Sequence, residues 1–141
     1  MKNLLFLLSF IVLTGCKSVK NDEEPENLHS DYMVYEILGL ALGNQVEAIP
    51  TFSIDAKENR FQGTAGCNSI FGGFIINGKK LEFPALAVTE KYCEGGNVMQ
   101  LEQDFIEALN QAEQFELRRG ILTFYGKGKK PVLRATKKPQ Q

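Results

Sequence analysis

The sequence predicts an α+β domain: a curved antiparallel sheet of about seven to eight strands, barrel-like or two-layered, packed on one main helix. Short apolar runs with two-residue alternation are punctuated by Gly, Pro and Asn, as strands and turns require. A single segment carries a helical apolar period. The chain of 141 residues is 43% apolar and 23% charged, with a net charge of −1, which suits one modest globular core and excludes a disordered or collagen-like chain.

The elements follow in order. Residues 32–38 (YMVYEIL) are rich in aromatic and branched side chains and stop at Gly39, as a strand does. Residues 51–55 (TFSID) alternate strictly, with Phe52 and Ile54 on one face and Thr51, Ser53 and Asp55 on the other. Residues 56–59 turn the chain, and residues 60–65 return as a second arm ending at Gly66. Residues 74–76 and 80–83 flank Asn77-Gly78, which predicts a hairpin closed by a type I′ turn and ended by Pro84. Residues 98–112 place Leu101, Phe105, Leu109 and Ala112 on one helical face, with Asn97 expected as N-cap and Gln100 as its capping-box partner. Residues 115–118, 121–125 and 132–136 read as three closing strands.

The first fifteen residues stand apart from this domain. Lys2 is followed by ten apolar-run residues, 4–13, too few for a bilayer-spanning helix of roughly 20 residues, so the segment reads as a cleaved export signal. Leu13-Thr14-Gly15-Cys16 resembles the lipobox of bacterial lipoproteins. That resemblance implies cleavage before Cys16 and acylation of its thiol by several chains, enough for stable membrane attachment. An ordinary signal peptide with a cysteine at its cleavage site is the alternative. Residues 16–30 are polar and read as a lipidated flexible tether, leaving 31–138 as the domain. Lys17, where inner-membrane lipoproteins carry Asp, implies the outer membrane. Asp22-Glu23-Glu24 is similar to an acidic surface-export tag, with a plain hydrophilic spacer as the other reading. The expected address is therefore the bacterial cell envelope, on a lipid anchor in the outer membrane, on either the periplasmic or the exposed side.

Chemistry has few residues to work with. His29, the one histidine, lies in the tether. Cys67 and Cys93 remain once Cys16 is set aside, and in an exported chain the even count favours a disulfide closing a loop of about 26 residues, with two buried thiols as the competing reading. A Cys nucleophile lacks a neighbouring base, and a zinc site lacks ligands, so no catalytic residue, cofactor or metal set is assigned. A hydrolase using Glu90 and Glu94 near Cys93 is the enzymatic alternative; it requires two facing carboxylates in a pocket.

One order of residues resembles a family. Gly66-Cys67-Asn68, then Gly73-Phe74, a lysine-bearing hairpin with Leu81-Glu82-Phe83, Thr89 and Cys93, and a helix with Glu102, Phe105 and Leu109 together resemble the META domain of HslJ-like envelope proteins. The pattern covers about residues 33–134. Two departures are visible: Tyr35 stands where the family usually opens with Trp, and Phe74 where it usually has Tyr. The resemblance implies a curved sheet on one helix, an exported or lipid-anchored setting and stress response. It carries no agreed catalytic residues, so Gly66, Cys67, Asn68, Thr89 and Cys93 are expected to be structural. The implied function is a non-enzymatic binding or stress-response module, or a pilotin-like inhibitor or assembly lipoprotein that takes an apolar peptide between sheet and helix.

Charge is unevenly placed. Residues 118–141 hold eight Lys or Arg and no acid, while residues 22–55 hold eight acids and no Lys or Arg. The run reads either as a basic face for anionic lipid, an anionic polymer or an acidic envelope protein, or as lysines that keep a sheet margin soluble, the latter being preferred. Nucleic acid is not an expected partner in this compartment.

Overall fold

The computed structural model describes residues 28–43, 46, 48–95 and 97–139. The export signal, Cys16 and most of the tether lie outside them. Among these residues eleven strands and one α-helix follow in order: β1 (Ser30–Ile37), β2 (Leu40–Ala41), β3 (Thr51–Asp55), β4 (Arg60–Thr64), β5 (Ser69–Gly73), β6 (Ile75–Asn77), β7 (Lys80–Glu82), β8 (Leu86–Val88), α1 (Val98–Gln111), β9 (Gln114–Arg118), β10 (Ile121–Tyr125) and β11 (Pro131–Lys137), with a short 3-10 turn at Lys127–Lys129 before β11.

The α+β prediction holds, with more strands than the seven to eight expected. All are antiparallel in one sheet of order β6-β7-β9-β10-β11-β1-β3-β4-β5-β8, with β2 added beside β1. The sheet curls into a half-barrel around α1. β1 therefore sits in mid-sheet, between β11 and β3, and a register shift between Val34 and Glu36 bends it against β11.

Burial explains why these runs become strands. In β3 the predicted alternation is realised, Phe52 and Ile54 being buried. Phe52 is the hub of the core. Its ring lies 5.1 Å from Tyr32 and 5.2 Å from Phe61, both roughly parallel to it, and 6.3 Å from Phe105 on the helix. Phe83 meets Phe61 edge-on at 5.1 Å and Phe124 at 5.8 Å, so it links β4 to β10 across the open side of the curl. The helical stripe buries as expected: Phe105 and Leu109 are fully enclosed, Ala112 nearly so, and Leu101 packs at the margin.

The domain begins inside the span assigned to the tether. Leu28 is 1% exposed, its carbonyl accepts the Tyr32 hydroxyl at 2.9 Å, and Ser30 already belongs to β1. Two local predictions fail. Asn77 is the last residue of β6 and pairs with Lys80, so the loop is Gly78-Lys79 with positive φ at Gly78, the requirement of a type II′ rather than a type I′ turn. Asn97 makes no capping hydrogen bond, and the reciprocal capping-box bond is absent as well, the Gln100 amide donating to Asp104 at 2.8 Å.

Candidate functional site: an amide and carboxylate knot under a disulfide

The least generic stretch of sequence becomes a densely hydrogen-bonded part of the molecule. After β4, Ala65 is fully buried and Gly66 turns the chain at φ +109, a conformation that disfavours any residue with a Cβ. Its Cα faces the Ala48 carbonyl so closely that an added Cβ would lie 3.2 Å from that oxygen. Gly63 is small for another reason: a Cβ there would sit 2.6 Å from the Thr51 carbonyl of the neighbouring strand. The chain then delivers Cys67 outward and Asn68 inward, the latter 2% exposed.

Asn68 has two amide donors and two carbonyl lone pairs, and each finds a partner. Its Oδ1 accepts the Thr89 hydroxyl at 2.8 Å and the Lys91 N–H at 2.7 Å. Its Nδ2 donates to Glu102 Oε1 at 2.9 Å and to the Lys91 carbonyl at 3.1 Å. The backbone N–H of Asn68 donates to the other Glu102 oxygen at 2.9 Å. The side-chain amide thus pairs with Lys91 as a peptide group pairs with a neighbouring strand. Thr89 continues the pairing by accepting the Ser69 N–H at 3.1 Å and donating its own N–H to the Ser69 carbonyl at 3.0 Å.

Glu102 is 6% exposed, a charged group that burial would penalise without hydrogen bonds to satisfy it. The two Asn68 donors, one to each oxygen, supply them. Over this arrangement lies the Cys67–Cys93 disulfide, with Cα atoms 6.0 Å apart. It resolves the choice between bridge and free thiols, and it closes the loop that carries Thr89 and Lys91. Cys67, Asn68, Thr89, Cys93 and Glu102, drawn from three separate segments, form one knot joining β5, the loop after β8 and α1.

The expected structural residues are therefore all in the knot or at its turn. Glu102 was visible in sequence as a helix residue of the family pattern, but its bonding to Asn68 depends on α1 crossing the turn, which periodicity does not reveal. Glu90 and Glu94 are both exposed on the loop beside Cys93. His29 lies at the surface with Nδ1 3.4 Å from Asp55. Among the described residues no cluster of metal-ligating side chains forms. A surface groove of about 710 Å³ lies elsewhere, between β1, β2 and the start of α1; Ile37, Leu40, Leu42, Val98 and Leu101 line it.

The META domain family matches residues 26–139. The chain belongs to the META domain family. Among solved structures, it is similar to a protein from Burkholderia xenovorans determined by NMR, at 17% identity and a TM-score of 0.66, covering 85% of this chain and 90% of that one. A second protein solved by NMR matches at 21% identity and a TM-score of 0.62, covering 80% of this chain and 93% of that one. At such identities the likeness concerns the fold. A comparison with curated proteins finds no match. For this META domain, the Gly66-Cys67-Asn68 turn and the Thr89-to-Cys93 segment are two halves of one bonded structure.

Proposed function

We propose that this META-domain protein is a non-enzymatic envelope module, held by acyl chains on Cys16 at the outer membrane, that acts by binding. The observation that supports this most is the saturation of the knot. The four hydrogen-bonding positions of the Asn68 amide face Thr89, Lys91 and Glu102, both Glu102 oxygens face Asn68, and both sulfurs are bonded to each other. Residues so committed hold a fold; a nucleophile or general base needs a free lone pair and a substrate beside it. The lipobox-like Leu13-Thr14-Gly15-Cys16 supplies the anchor.

The test is palmitate labelling of the native host with fractionation of its envelope. The expected result is a labelled protein in the outer-membrane fraction and loss of label in Cys16→Ser. An unlabelled protein released with the soluble contents would overturn the reading.

A second reading has its own observation. The apolar groove between β1, β2 and α1 has the character needed to seat an apolar peptide of another envelope protein, as an inhibitor or assembly factor would. Leu101→Glu, which puts a charge in that groove, should abolish such binding while the knot stays intact; unchanged binding would remove the groove from consideration.

A further inference from the structure

The basic run of the tail does not form one face. β11 carries its lysines to both ends of the sheet. Lys137 and Lys138 lie beside Gly120 and Asp31 at the end where the chain arrives from residue 28, and Arg118 there pairs with Glu116 at 2.9 Å. Lys127, Lys129 and Lys130 lie at the opposite end, in the turn between β10 and β11.

That second group meets lysines from far away in sequence. Lys80 faces Gln114, Gln114 faces Tyr125, and Tyr125 faces Pro131 across three neighbouring strand pairs. The Phe115 N–H also donates to the Lys79 carbonyl at 3.0 Å. Two hairpin tips about fifty residues apart along the chain thus present Lys79, Lys80, Lys127, Lys129 and Lys130 on one rim, all exposed, with Glu82 and Glu113 as acids beside Lys80. The β1–β2 turn continues the same rim, since the Leu38 N–H donates to the Val132 carbonyl at 2.8 Å. Just beyond it Leu40 is 68% exposed, a large apolar side chain standing in water.

We propose that this rim docks on an anionic bilayer surface, with Leu40 entering the headgroup boundary between the lysines and the acyl region. Lysine is a flexible point charge that follows a diffuse negative surface, and it makes no geometric demand of the kind arginine forks make. Each lysine near an anionic leaflet strengthens partitioning about five-fold. A soluble polyanion would be held by the charges and would leave Leu40 in water, whereas a bilayer interface accommodates both. The docking surface belongs to the folded domain and does not require the acyl anchor. In an acylated chain the two contacts are compatible: the twelve residue steps from Cys16 to Leu28 reach at most ~42 Å, against ~26 Å for the length of β1.

The chain contains no tryptophan, so Leu40→Trp in the full-length protein is a single local reporter. Its emission should shift to the blue and be quenched by brominated lipid on vesicles containing phosphatidylglycerol, and stay unchanged on phosphatidylcholine alone. Adding Lys129→Gln and then Lys130→Gln should weaken the response about five-fold at each step, with the thermal midpoint retained. Equal responses on both lipids, or none on the anionic one, would overturn the proposal. So would tight binding of soluble polyphosphate through the same lysines with no response to vesicles, which would assign the rim to a polymer. Palmitate labelling reports on Cys16 independently, so failure of the anchor and failure of the rim give different results.

Discussion

The knot at Asn68 and the lysine rim are both polar clusters that the fold assembles from distant segments, yet they are opposite in kind. At the knot, a buried amide and a buried carboxylate fill one another's hydrogen-bonding positions, and a disulfide covers them. At the rim, five exposed lysines outnumber the acids beside them, Glu82 and Glu113. A cluster that satisfies itself contributes to stability, because any deletion strands a desolvated partner. A cluster with an excess of one charge contributes little to its own fold and attracts the opposite charge from outside it. Substitutions at the first should therefore alter the thermal midpoint and leave interactions intact, and substitutions at the second should do the reverse.

The largest effect is expected at Asn68→Ala. It leaves the buried Glu102 carboxylate with the Asn68 backbone N–H alone, strands its other oxygen and opens the pairing to Lys91 and Thr89, so chemical denaturation should show a loss of about 3–5 kcal/mol. A loss under 1 kcal/mol would mean that water replaces the amide and that the knot is permeable. Next comes the disulfide. The paired variant Cys67→Ser with Cys93→Ser should lose about 3 kcal/mol, and reductant should lower the native protein to the same level while leaving the variant unchanged. Thr89→Val keeps the shape but strands Asn68 Oδ1 and the Ser69 N–H in part, for about 1–2 kcal/mol by the same measurement. Lys127→Gln, Lys129→Gln and Lys130→Gln together should change stability by less than about 0.5 kcal/mol; a larger loss would make the rim part of the fold and collapse the contrast.

The smallest effect concerns acid. The Asp55 carboxyl is held below its ordinary value of 3.8, chiefly by the Glu58 N–H and, after the opposing cost of burial, by the Lys57 N–H and His29. A depressed folded-state value means that the contribution is present at neutral pH and is lost as pH falls below 3.8 through the folded value. Asp55→Asn should thus match the native protein at the most acid pH and fall slightly below it above that range. A difference that persists undiminished at the lowest pH would show that the carboxyl acts by shape rather than by charge.

How much of this was legible in the sequence follows from how local each feature is. β3 and β10 appear at the predicted limits because TFSID and ILTFY carry their burial pattern in their own residues. The helix stripe was equally plain. β5 was missed because SIFGG ends in two glycines and has little strand character by itself, and β8 because three residues such as LAV become a strand only by pairing, Val88 with Ile70. Asn77-Gly78 misled because Asn77 is claimed by its pairing with Lys80, which shifts the loop by one residue. The cysteines and Asn68 announced a special site, but the role of Glu102 depended on helix placement. The tail's charge run misled in the other sense: residues adjacent in sequence were parted by the length of β11, and Lys79 was joined to Lys129 only by the sheet.

The anchoring of Leu28 beneath Tyr32 has a mechanical consequence. A pull on Leu28 away from the opposite end of the sheet is directed along β1. That strand lies in mid-sheet with ladders to β11 and β3 on either side. Inter-strand hydrogen bonds run across the strand axis, so such a force loads many of them together in shear, where a strand at the sheet's edge would be peeled away bond by bond. Force entering at Leu28 is thus carried by the middle of the sheet and not by its edge.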